Sequence, residues 1–598
     1  MHRALEERRP IPEAELAHSE EARSPEHAVV DAHRRDHPGD LLAVRPDVLH
    51  GRRTHRARDA RQRLEPDETL RDRLLDQLAR QAAALADEVR RLWYGQRDGG
   101  DGCSHMADRL LDAGHFKPAD IWRKARLAME ANRARAVREA VALLPGNLLP
   151  ELAQLQSSPT KYLTGRSKTQ GTPHRELVVL ALTKLATSDH EAAARLLQDK
   201  WAAQLSAEER DWVWGVIGKR SAQRLESDAL DYFAKVGKLH DLNDDQLAWK
   251  ARAALRAGQW SQVRKAIDAM SPAARADSTW VYWSARALLA GRPSAAQQQQ
   301  ARELFESIAS ERGFYEQLAL EELGRSVTVP PAPPALSDSE KAAARTNPGL
   351  NRGLYAIVLG LRAEGVREWN YTTNLHQPGG MTDRELLAAA DFACAQQVWD
   401  RCINTSERTR SVVDMAQRYP TPYRTAVLQR TREIGLDAAY VYGLIRQESR
   451  FIMDARSGVG ASGLMQVMPA TARWTAKKIG LTDFSAEQIN DRDTNITIGT
   501  AYLKLALDDF DGSMALAAAA YNAGPGRPRN WRNGPLLEAA IWAENVPFTE
   551  TRDYVKKVLA NTTNYAAVLT GQPQSLRSRL GTVGPRTVAQ AAPNADLP

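Results

Sequence analysis

Cysteine is scarce in this sequence. The chain of 598 residues contains three cysteines, Cys103, Cys394 and Cys402. Three scattered cysteines are too few for a disulfide framework and cannot supply the four ligands of a tetrahedral zinc site. Cys394 and Cys402 are close enough in sequence to form a disulfide if they lie on facing helices. The alternative is a pair of thiols buried in an apolar face, and the sequence leaves both arrangements open.

Long apolar runs are also absent. No stretch approaches the ~18 consecutive apolar residues of a membrane-spanning helix. The charged first residues are not followed by the apolar segment that a secretory signal peptide requires. We therefore expect no membrane span, and we see no export signal.

Aromatic residues are few, at 6% of the chain, although 14 residues are tryptophan. Most of the remainder is Ala, Leu, Arg, Gln and Glu, which is typical of helical proteins. The apolar share of 43% is sufficient for buried cores. We predict an all-α protein with almost no β-sheet. Several domains are expected, because one core rarely organises a chain of this length.

No strong excess of one charge is present either, since the formal net charge is +7. A small positive charge favours an anionic partner such as nucleic acid, lipid headgroups or an acidic polymer. Lysine and arginine are interspersed with acidic residues and do not form a basic stripe. This pattern argues against nucleic-acid binding.

The first 65 residues differ from the rest of the chain. They are dense in Arg, Pro and Asp and hold more than half of the 13 histidines. The histidine spacing is too irregular to favour a metal site, and no apolar period is present. We predict that 1–65 is a disordered or artefactual leader, of the kind that a wrongly assigned start codon or reading frame would produce.

Helical periodicity begins at Pro66, where Leu70, Leu74, Leu78 and Ala82 share one helix face. This character continues to about residue 328. Short breaks at glycine and proline divide the stretch into helices of one to two dozen residues. Such a pattern predicts a stack of helix pairs.

An internal repeat supports this interpretation of 66–328. The pattern W-x-A-R-A-x-L begins at Trp249 and recurs 34 residues later at Trp283, and the two copies are followed by Gly258 and Gly291. A period near 34 residues is typical of tetratricopeptide-type helical hairpins, which stack into a curved α-solenoid. At helical spacing, tryptophans of this region are expected to pack between hairpins, and the alternative is a sugar platform or partner anchor.

Three further segments complete the predicted domain organisation. Residues 329–345 begin with VPPAPPA and are interpreted as a stiff proline-rich connector. Residues 346–418 are predicted to form a small helical linker domain. Residues 419–598 are predicted to form a separate C-terminal domain.

Glu448 occupies an unusual position for a carboxylate. A helix that begins at Asp437 places Tyr440, Leu444 and Glu448 on one face, so Glu448 continues an apolar stripe. Burial and the negative end of the helix dipole both raise a carboxyl pKa at such a position. A glutamic acid that is protonated near neutral pH is a general acid. The alternative is a glutamate at a frayed helix end, pointing to water.

Several motifs downstream of Glu448 do not suit plain helix packing. A glycine-rich turn allows close approach of backbone to a ligand, and a glycine inside a helix indicates close helix contact, since it costs about 1 kcal/mol relative to alanine. The motifs are Ser457–Gly463 with Leu464-Met465-Gln466, Asn495 with Gly499, the AYNAG turn Ala520–Gly524, and ENVPFTETRDYV at Glu544–Val555.

Together these motifs resemble the catalytic domain of the soluble lytic transglycosylases, which has a goose-type lysozyme fold. The clusters ESRF, GLMQ, AYNAG and PFTETRxYV stand in the family's order and at compatible spacing. The upstream regions are similar to the doughnut-shaped superhelical domain and the linker domain of the large periplasmic members. The resemblance therefore implies an α-superhelical N-terminal domain, a small helical linker domain and a lysozyme-like catalytic domain. It also implies a periplasmic location, although 1–65 does not match an export signal.

The resemblance also assigns roles to residues. Glu448 would be the catalytic acid and base. Ser457 and Gln466 would bond sugar substituents, Met465 would form an apolar wall beside the acid, and Tyr521 would lie close to Glu448. The substrate-binding set that it implies is Ser457, Met465, Gln466, Tyr521, Asn522, Glu544 and Tyr554.

The implied reaction needs no cofactor and no metal. The enzyme would cleave the bond between N-acetylmuramic acid and N-acetylglucosamine in peptidoglycan and leave 1,6-anhydro ends. One acid suits this chemistry, because the substrate's N-acetyl group and its own hydroxyl replace a nucleophile and water. The implied partners are peptidoglycan strands and, through the solenoid, other cell-wall enzymes. Endolytic or exolytic action and dependence on stem peptides stay open.

Two alternatives remain at this point. A hydrolytic lysozyme on the same fold would need a second carboxylate, for which Asp454 and Glu544 are the candidates. Asp454 is expected to be a loop-capping residue instead. The other alternative is a non-catalytic scaffold that binds peptidoglycan, and a desolvated acid at Glu448 argues against it.

Overall fold

The computed structural model describes residues 84–96, 98–166, 168–169, 171–374, 379–587, 593–594 and 596–598. The predicted leader 1–65 and residues 66–83, where the sequence periodicity begins, lie outside the described part. The described chain is almost entirely helical. Its one sheet pairs the strand Leu537–Glu538 with Thr582–Val583 in antiparallel register, with Leu537 opposite Val583. The predicted all-α class is confirmed for the described residues.

The chain divides into two compact units, of which the first contains the described residues of Gly39–Lys250. Its core is one continuous cluster that includes the fully buried Trp201 and Trp212. Ser206 begins one of its long helices through a capping box with Glu209. Helices occupy 84–95, Asp101–Asp112, Pro118–Glu130, Ala134–Ala142, Leu149–Ser157, Pro159–Gly165, Gly171–Ser188, His190–Leu196, Ala207–Gln223 and Ala229–Ala234, with a π-helical turn at Leu197–Trp201 and a 3-10 turn at Leu239–Asp241.

The second unit contains Ala251–Pro598, and the helix Asp244–Arg256 spans the division. Its further helices are Trp260–Asp268, Pro272–Arg275, Ser278–Leu289, Ala295–Ile308, Phe314–Glu322, Asp338–Thr346, Pro348–Val358, Arg362–Asn374, Asp383–Ala395, Trp399–Ser406, Met415–Arg418, Arg424–Ile434, Ala438–Glu448, Pro469–Lys478, Arg492–Asp509, Met514–Ala523, Gly526–Trp531, Ala539–Glu544, Thr549–Thr570 and Leu576–Leu580, with a 3-10 turn at Ala486–Asn490. Among the described residues, no helix combines the length and the apolarity needed to cross a bilayer.

The sequence repeat is visible in the backbone. Trp249 and Trp283 are both buried, which favours packing over a role as sugar platforms. Gly258 and Gly291, after the respective copies, have φ angles of 66° and 82°. Glycine adopts these left-handed conformations without steric cost, so each copy ends at a turn that suits its residue type.

The proline-rich connector is shorter than predicted. The chain forms no helix from Arg325 to Ser337, and the next helix begins at Asp338. Within this stretch, Val327 forms an isolated β-bridge with Gln574. Ser337 starts this helix because its hydroxyl accepts a bond from the backbone of Glu340, whose carboxylate accepts from the backbone of Ser337 in return. Only 329–337 of the predicted 329–345 connector is therefore non-helical.

The predicted linker region has a small core of its own. Leu350, Leu354 and Trp369 belong to it, together with Cys402. Cys402 forms a disulfide with Cys394, and their Cα atoms are 5.1 Å apart, within the usual range for a disulfide. Of the two arrangements that the sequence left open, the structure has the disulfide. The wider division into domains at 328, 345 and 418 stays a prediction.

Two helices of the C-terminal region position the site. We call Ala438–Glu448 the acid helix and Thr549–Thr570 the tyrosine helix. They pack closely at Gly443, where a Cβ would lie 2.8 Å from the backbone nitrogen of Thr562 and 2.9 Å from the carbonyl oxygen of Val558. Glycine at this crossing lets the two backbones approach each other.

Candidate active site

The acid helix has the form that the sequence predicts. Asp437 caps its start, with Oδ1 accepting from the backbone nitrogen of Ala439 at 2.8 Å, and Glu448 is its last residue. Tyr440 and Leu444, on the same face, are fully buried, whereas Glu448 is half-buried. The carboxylate therefore sits at the boundary between the core and an accessible surface, where it can meet a ligand.

Tyr554 contacts the carboxylate directly. Its hydroxyl donates to Glu448 Oε1 at 2.6 Å, and its side chain is buried. Burial, together with the negative charge of Glu448, raises the pKa of Tyr554 well above its usual value. The phenol stays protonated at physiological pH and acts as a hydrogen-bond donor. The sequence placed Tyr554 in the groove; the contact with the acid is a finding of the structure.

Tyr521 lies near the same carboxylate. Burial is the largest cause of its raised pKa, and the charge of Glu448 is the next. Its hydroxyl donates to the carbonyl oxygen of Met465 at 2.8 Å, and its ring contacts Tyr502 at a centroid distance of 5.3 Å. Tyr521 therefore joins the AYNAG turn to the segment after the acid helix.

The loop that follows Glu448 has an unusual backbone. Arg450, Phe451 and Gln466 have φ angles of 48°, 66° and 46°, a region that residues other than glycine seldom adopt. Ser449 helps to hold this conformation, because its hydroxyl donates to the carbonyl oxygen of Leu464 at 2.7 Å. Backbone conformations of this kind cluster at functional sites, where the surrounding structure enforces them.

Ser457 and Gln466 both bond to the loop itself. The Ser457 hydroxyl accepts from the backbone nitrogen of Ala461 at 2.9 Å. The Gln466 amide nitrogen donates to the carbonyl oxygens of Ala455 and Gly463, each at 2.8 Å. Both side chains are half-buried. They shape the loop, and their contacts with substrate stay predictions.

Met465, predicted to form an apolar wall beside the acid, has no exposed surface in the structure. Its side chain is completely buried, and its backbone nitrogen donates to Asn495 Oδ1 at 2.9 Å. A Cβ at Gly499 would lie 2.5 Å from the Met465 sulfur. Gly499 therefore makes room for Met465 and not for a neighbouring helix, and Met465 is core beneath the site.

Asn522 bonds to the start of the tyrosine helix, and its contact with substrate stays a prediction. Its Oδ1 accepts from the Thr551 hydroxyl at 2.7 Å, and its Nδ2 donates to Glu550 Oε1 at 3.3 Å. The AYNAG turn is thereby joined to the first turn of the tyrosine helix. Glu550, which the sequence analysis did not select, is brought to the site by this contact. An acidic residue in the first turn of a helix was the available signal.

The prediction that Glu544 binds substrate does not fit its surroundings. The carboxylate is fully buried and accepts from Arg252 at 2.8 and 3.0 Å, from Lys556 at 3.1 Å and from the Tyr315 hydroxyl. Burial would raise the pKa of Glu544, but the cations Lys556 and Arg252 lower it to about 2. Both oxygens of this ionised and fully buried carboxylate are engaged by neighbouring side chains, so Glu544 is an anchor and is not placed to act as a second catalytic carboxylate either.

Two family profiles match the segments that carry this site. Residues 426–536 match the profile of the transglycosylase SLT domain, and residues 545–574 match the soluble lytic transglycosylase helical domain. The first match contains the acid helix, the strained loop and the AYNAG turn. The second match contains Tyr554.

The chain is also similar to curated proteins over most of its length. The soluble lytic murein transglycosylase of Salmonella typhimurium is 27% identical over 514 residues, which cover 83% of this chain and 77% of that protein. The protein of the same name from Escherichia coli K12 is 27% identical over 517 residues, which cover 81% and 75%. The X-ray structure of an inactive Glu-to-Gln variant of a lytic transglycosylase from Pseudomonas aeruginosa has a TM-score of 0.66 at 29% identity and covers 82% of this chain and 79% of that one.

Proposed function

We propose that this chain, a relative of the soluble lytic murein transglycosylases, cleaves the glycosidic bond between N-acetylmuramic acid and N-acetylglucosamine in peptidoglycan. Glu448 is the single acid and base, and the products carry 1,6-anhydro-muramoyl ends. The observation that carries the proposal is the half-buried Glu448 carboxylate, bonded to a protonated tyrosine, inside a matched SLT domain. The names of the full-length relatives supply the substrate class.

The reaction follows from the position of the acid. Glu448, in its protonated form, donates its proton to the glycosidic oxygen, and the bond to the muramoyl anomeric carbon breaks. The substrate's N-acetyl group stabilises the positive charge that develops on that carbon. Glu448, now ionised, takes the proton from the sugar's 6-hydroxyl as its oxygen closes the anhydro ring. No water is consumed, so no second carboxylate is needed.

Tyr554 contributes to both states of the acid. Its hydroxyl donates to Glu448 Oε1 and holds the carboxylate in one orientation. A donor fixed in a buried position stabilises the ionised acid after proton transfer without having to reorganise. Tyr521, Asn522, Ser457 and Gln466 shape the groove around the reacting bond.

Location and partners follow from the same proposal. A peptidoglycan-cleaving enzyme acts where peptidoglycan lies, so we place the protein in the periplasm. The small positive charge assists encounter with peptidoglycan stems, which carry carboxylates. The helical region before the linker is proposed to hold the glycan strand and to bind other cell-wall enzymes.

The test is mass spectrometry of muropeptides released from purified peptidoglycan by the full chain and by Glu448→Gln. Anhydro-muramoyl products from the wild type that are absent with the variant establish the reaction and the acid together. Reducing-end products would mean hydrolysis with a positioned water. Binding without any Glu448-dependent product would mean a non-catalytic scaffold.

A further inference from the structure

The sequence repeat carries an arginine at the same place in both copies. Arg252 stands three residues after Trp249, and Arg286 stands three residues after Trp283. A surface arginine in a solenoid repeat is normally solvated. Each of these two instead pairs with a carboxylate far along the chain.

Both arginines bind the same short helix, Ala539–Glu544, at its opposite ends. Arg286 donates to Glu538, the residue before this helix, through Nη1 at 3.2 Å and Nη2 at 2.9 Å. Arg252 donates to Glu544, its last residue, through Nε at 3.0 Å and Nη2 at 2.8 Å. Arginines at equivalent positions of the two repeat copies therefore form ion pairs at the start and at the end of one helix.

The two pairs differ in exposure. The Arg286 and Glu538 side chains are 18% and 51% exposed, whereas those of Arg252 and Glu544 are 9% and 0% exposed. Solvent screens the first pair, so breaking it has a small effect. Breaking the second leaves a buried charge without compensation. The ion pair at the Glu544 end therefore contributes more to holding the helix in place than the pair at the Glu538 end.

Glu544 also connects the helix Ala539–Glu544 to the tyrosine helix. Its Oε2 accepts from Lys556 at 3.1 Å and from the Tyr315 hydroxyl. Lys556 lies two residues after Tyr554, the donor to the catalytic acid. Tyr315 in turn accepts from the indole nitrogen of Trp283 at 3.2 Å. One buried carboxylate thus joins both repeat copies to the helix that carries Tyr554.

We propose that Glu544 and Arg252 are positioning residues for the reaction, which set the place of the tyrosine helix and thereby the contact of Tyr554 with Glu448. The inference rests on the proposed function. It assigns the second repeat and the helix around Arg252 to the catalytic apparatus, although neither touches substrate. Small displacements of catalytic groups have large effects on rate, which gives the anchor its importance.

The test compares the same substitution at the two ends of helix Ala539–Glu544 in the full chain. Glu544→Gln should lower kcat on soluble uncrosslinked glycan chains by up to about tenfold, with KM little changed, because groups that act on the acid are displaced. Glu538→Gln removes the exposed pair and should leave kcat within about twofold. Equal rates for the two variants would overturn the proposal.

A double variant separates positioning from a general loss of structure. If Glu544 acts through Tyr554, then Glu544→Gln combined with Tyr554→Phe is no slower than Tyr554→Phe alone, because residues in one network are not additive. Multiplied losses, of about a hundredfold for two tenfold effects, would show that Glu544 acts by another route.

A milder pair of variants covers the case in which Glu544→Gln does not fold. Tyr315→Phe removes one donor to Glu544 and should lower kcat severalfold. Tyr282→Phe is the matched control, since Tyr282 is also buried and its ring centroid lies 5.3 Å from that of Tyr315, while its hydroxyl bonds to Arg286 and Glu322. Equal kcat values for these two variants would contradict the proposal.

Failure of the proposed function has a different signature. A wild-type chain that releases no anhydro products refutes the function itself. An active wild type whose activity requires Glu448 but is indifferent to Glu544→Gln and Tyr315→Phe refutes only the positioning role.

Discussion

Two glutamates of the C-terminal region invite comparison, because each is the last residue of a helix. Glu448 is half-buried and bonded to Tyr554. Glu544 is fully buried between Arg252 and Lys556. The first is placed to exchange a proton with a ligand, and the second is held ionised. The same residue type at the same helix position is therefore an acid or an anchor according to its neighbours.

The largest expected effect is loss of turnover in Glu448→Gln. Glutamine has the shape of glutamic acid but no proton to give, so the rate of peptidoglycan cleavage should fall about a thousandfold, within the range for general acids. The variant should stay folded, because Glu448 is only half-buried. The measurement is the rate of peptidoglycan solubilisation, with the melting temperature as the folding control. A variant that keeps a tenth of the activity would remove the distinction between the two glutamates.

The next effect is on stability, and it belongs to Glu544. Glu544→Gln removes the buried charge that Arg252 and Lys556 share, and the free energy of unfolding should fall by about 3 kcal/mol or more. Glu538→Gln, at the exposed end of the same helix, should change it by less than about 1 kcal/mol. Urea denaturation of both variants measures the difference. Equal stabilities would mean that the buried network is not an anchor.

The pH dependence of stability sharpens the same contrast. The pKa of Glu544 is lowered from an ordinary value of 4.5 to about 2 in the folded chain. Its contribution is therefore fully present above pH 4.5 and is lost as the pH falls towards 2, a change of about 3 kcal/mol for such a shift. The stability difference between wild type and Glu544→Gln should be constant above pH 5 and shrink below pH 4.5. A stability difference that grows on acidification would contradict a lowered pKa for Glu544.

A smaller effect on turnover than that of Glu448→Gln is expected of Tyr554→Phe. The phenylalanine keeps the packing of the tyrosine helix but donates no bond to Glu448. We expect kcat to fall about tenfold, because one preorganised donor to the ionised acid is lost, while the product remains the anhydro sugar. Steady-state kinetics on soluble glycan chains measure this loss. Unchanged kinetics would reduce the contact to a structural one.

Much of the site could be predicted from local sequence. The helix that begins at Asp437 and ends at Glu448 was visible in its spacing, and the AYNAG turn was visible in its residue types. The repeat at Trp249 and Trp283 also corresponds to helices that end at glycine turns. These features depend on residues within one or two helical turns of each other, so the sequence pattern contains them.

The environment of Glu544 could not be predicted in this way. Its partners Arg252 and Tyr315 lie more than two hundred residues upstream, and no local spacing indicates that they meet. The burial of Met465 depends similarly on Gly499, which lies in a later helix, Arg492–Asp509. Glu544 and Met465 were assigned to the groove because they stand in sequence motifs next to other site residues. Their burial, however, depends on contacts with residues distant in sequence.

The most direct test is the amount of anhydro-muramoyl product released from purified peptidoglycan by Glu448→Gln and by Glu544→Gln, at equal concentrations of folded full-length protein. The account predicts no product above background from the first variant and a reduced but measurable yield of the same anhydro product from the second. Product from Glu448→Gln at the level of Glu544→Gln would contradict the assignment of Glu448 as the acid and Glu544 as the anchor.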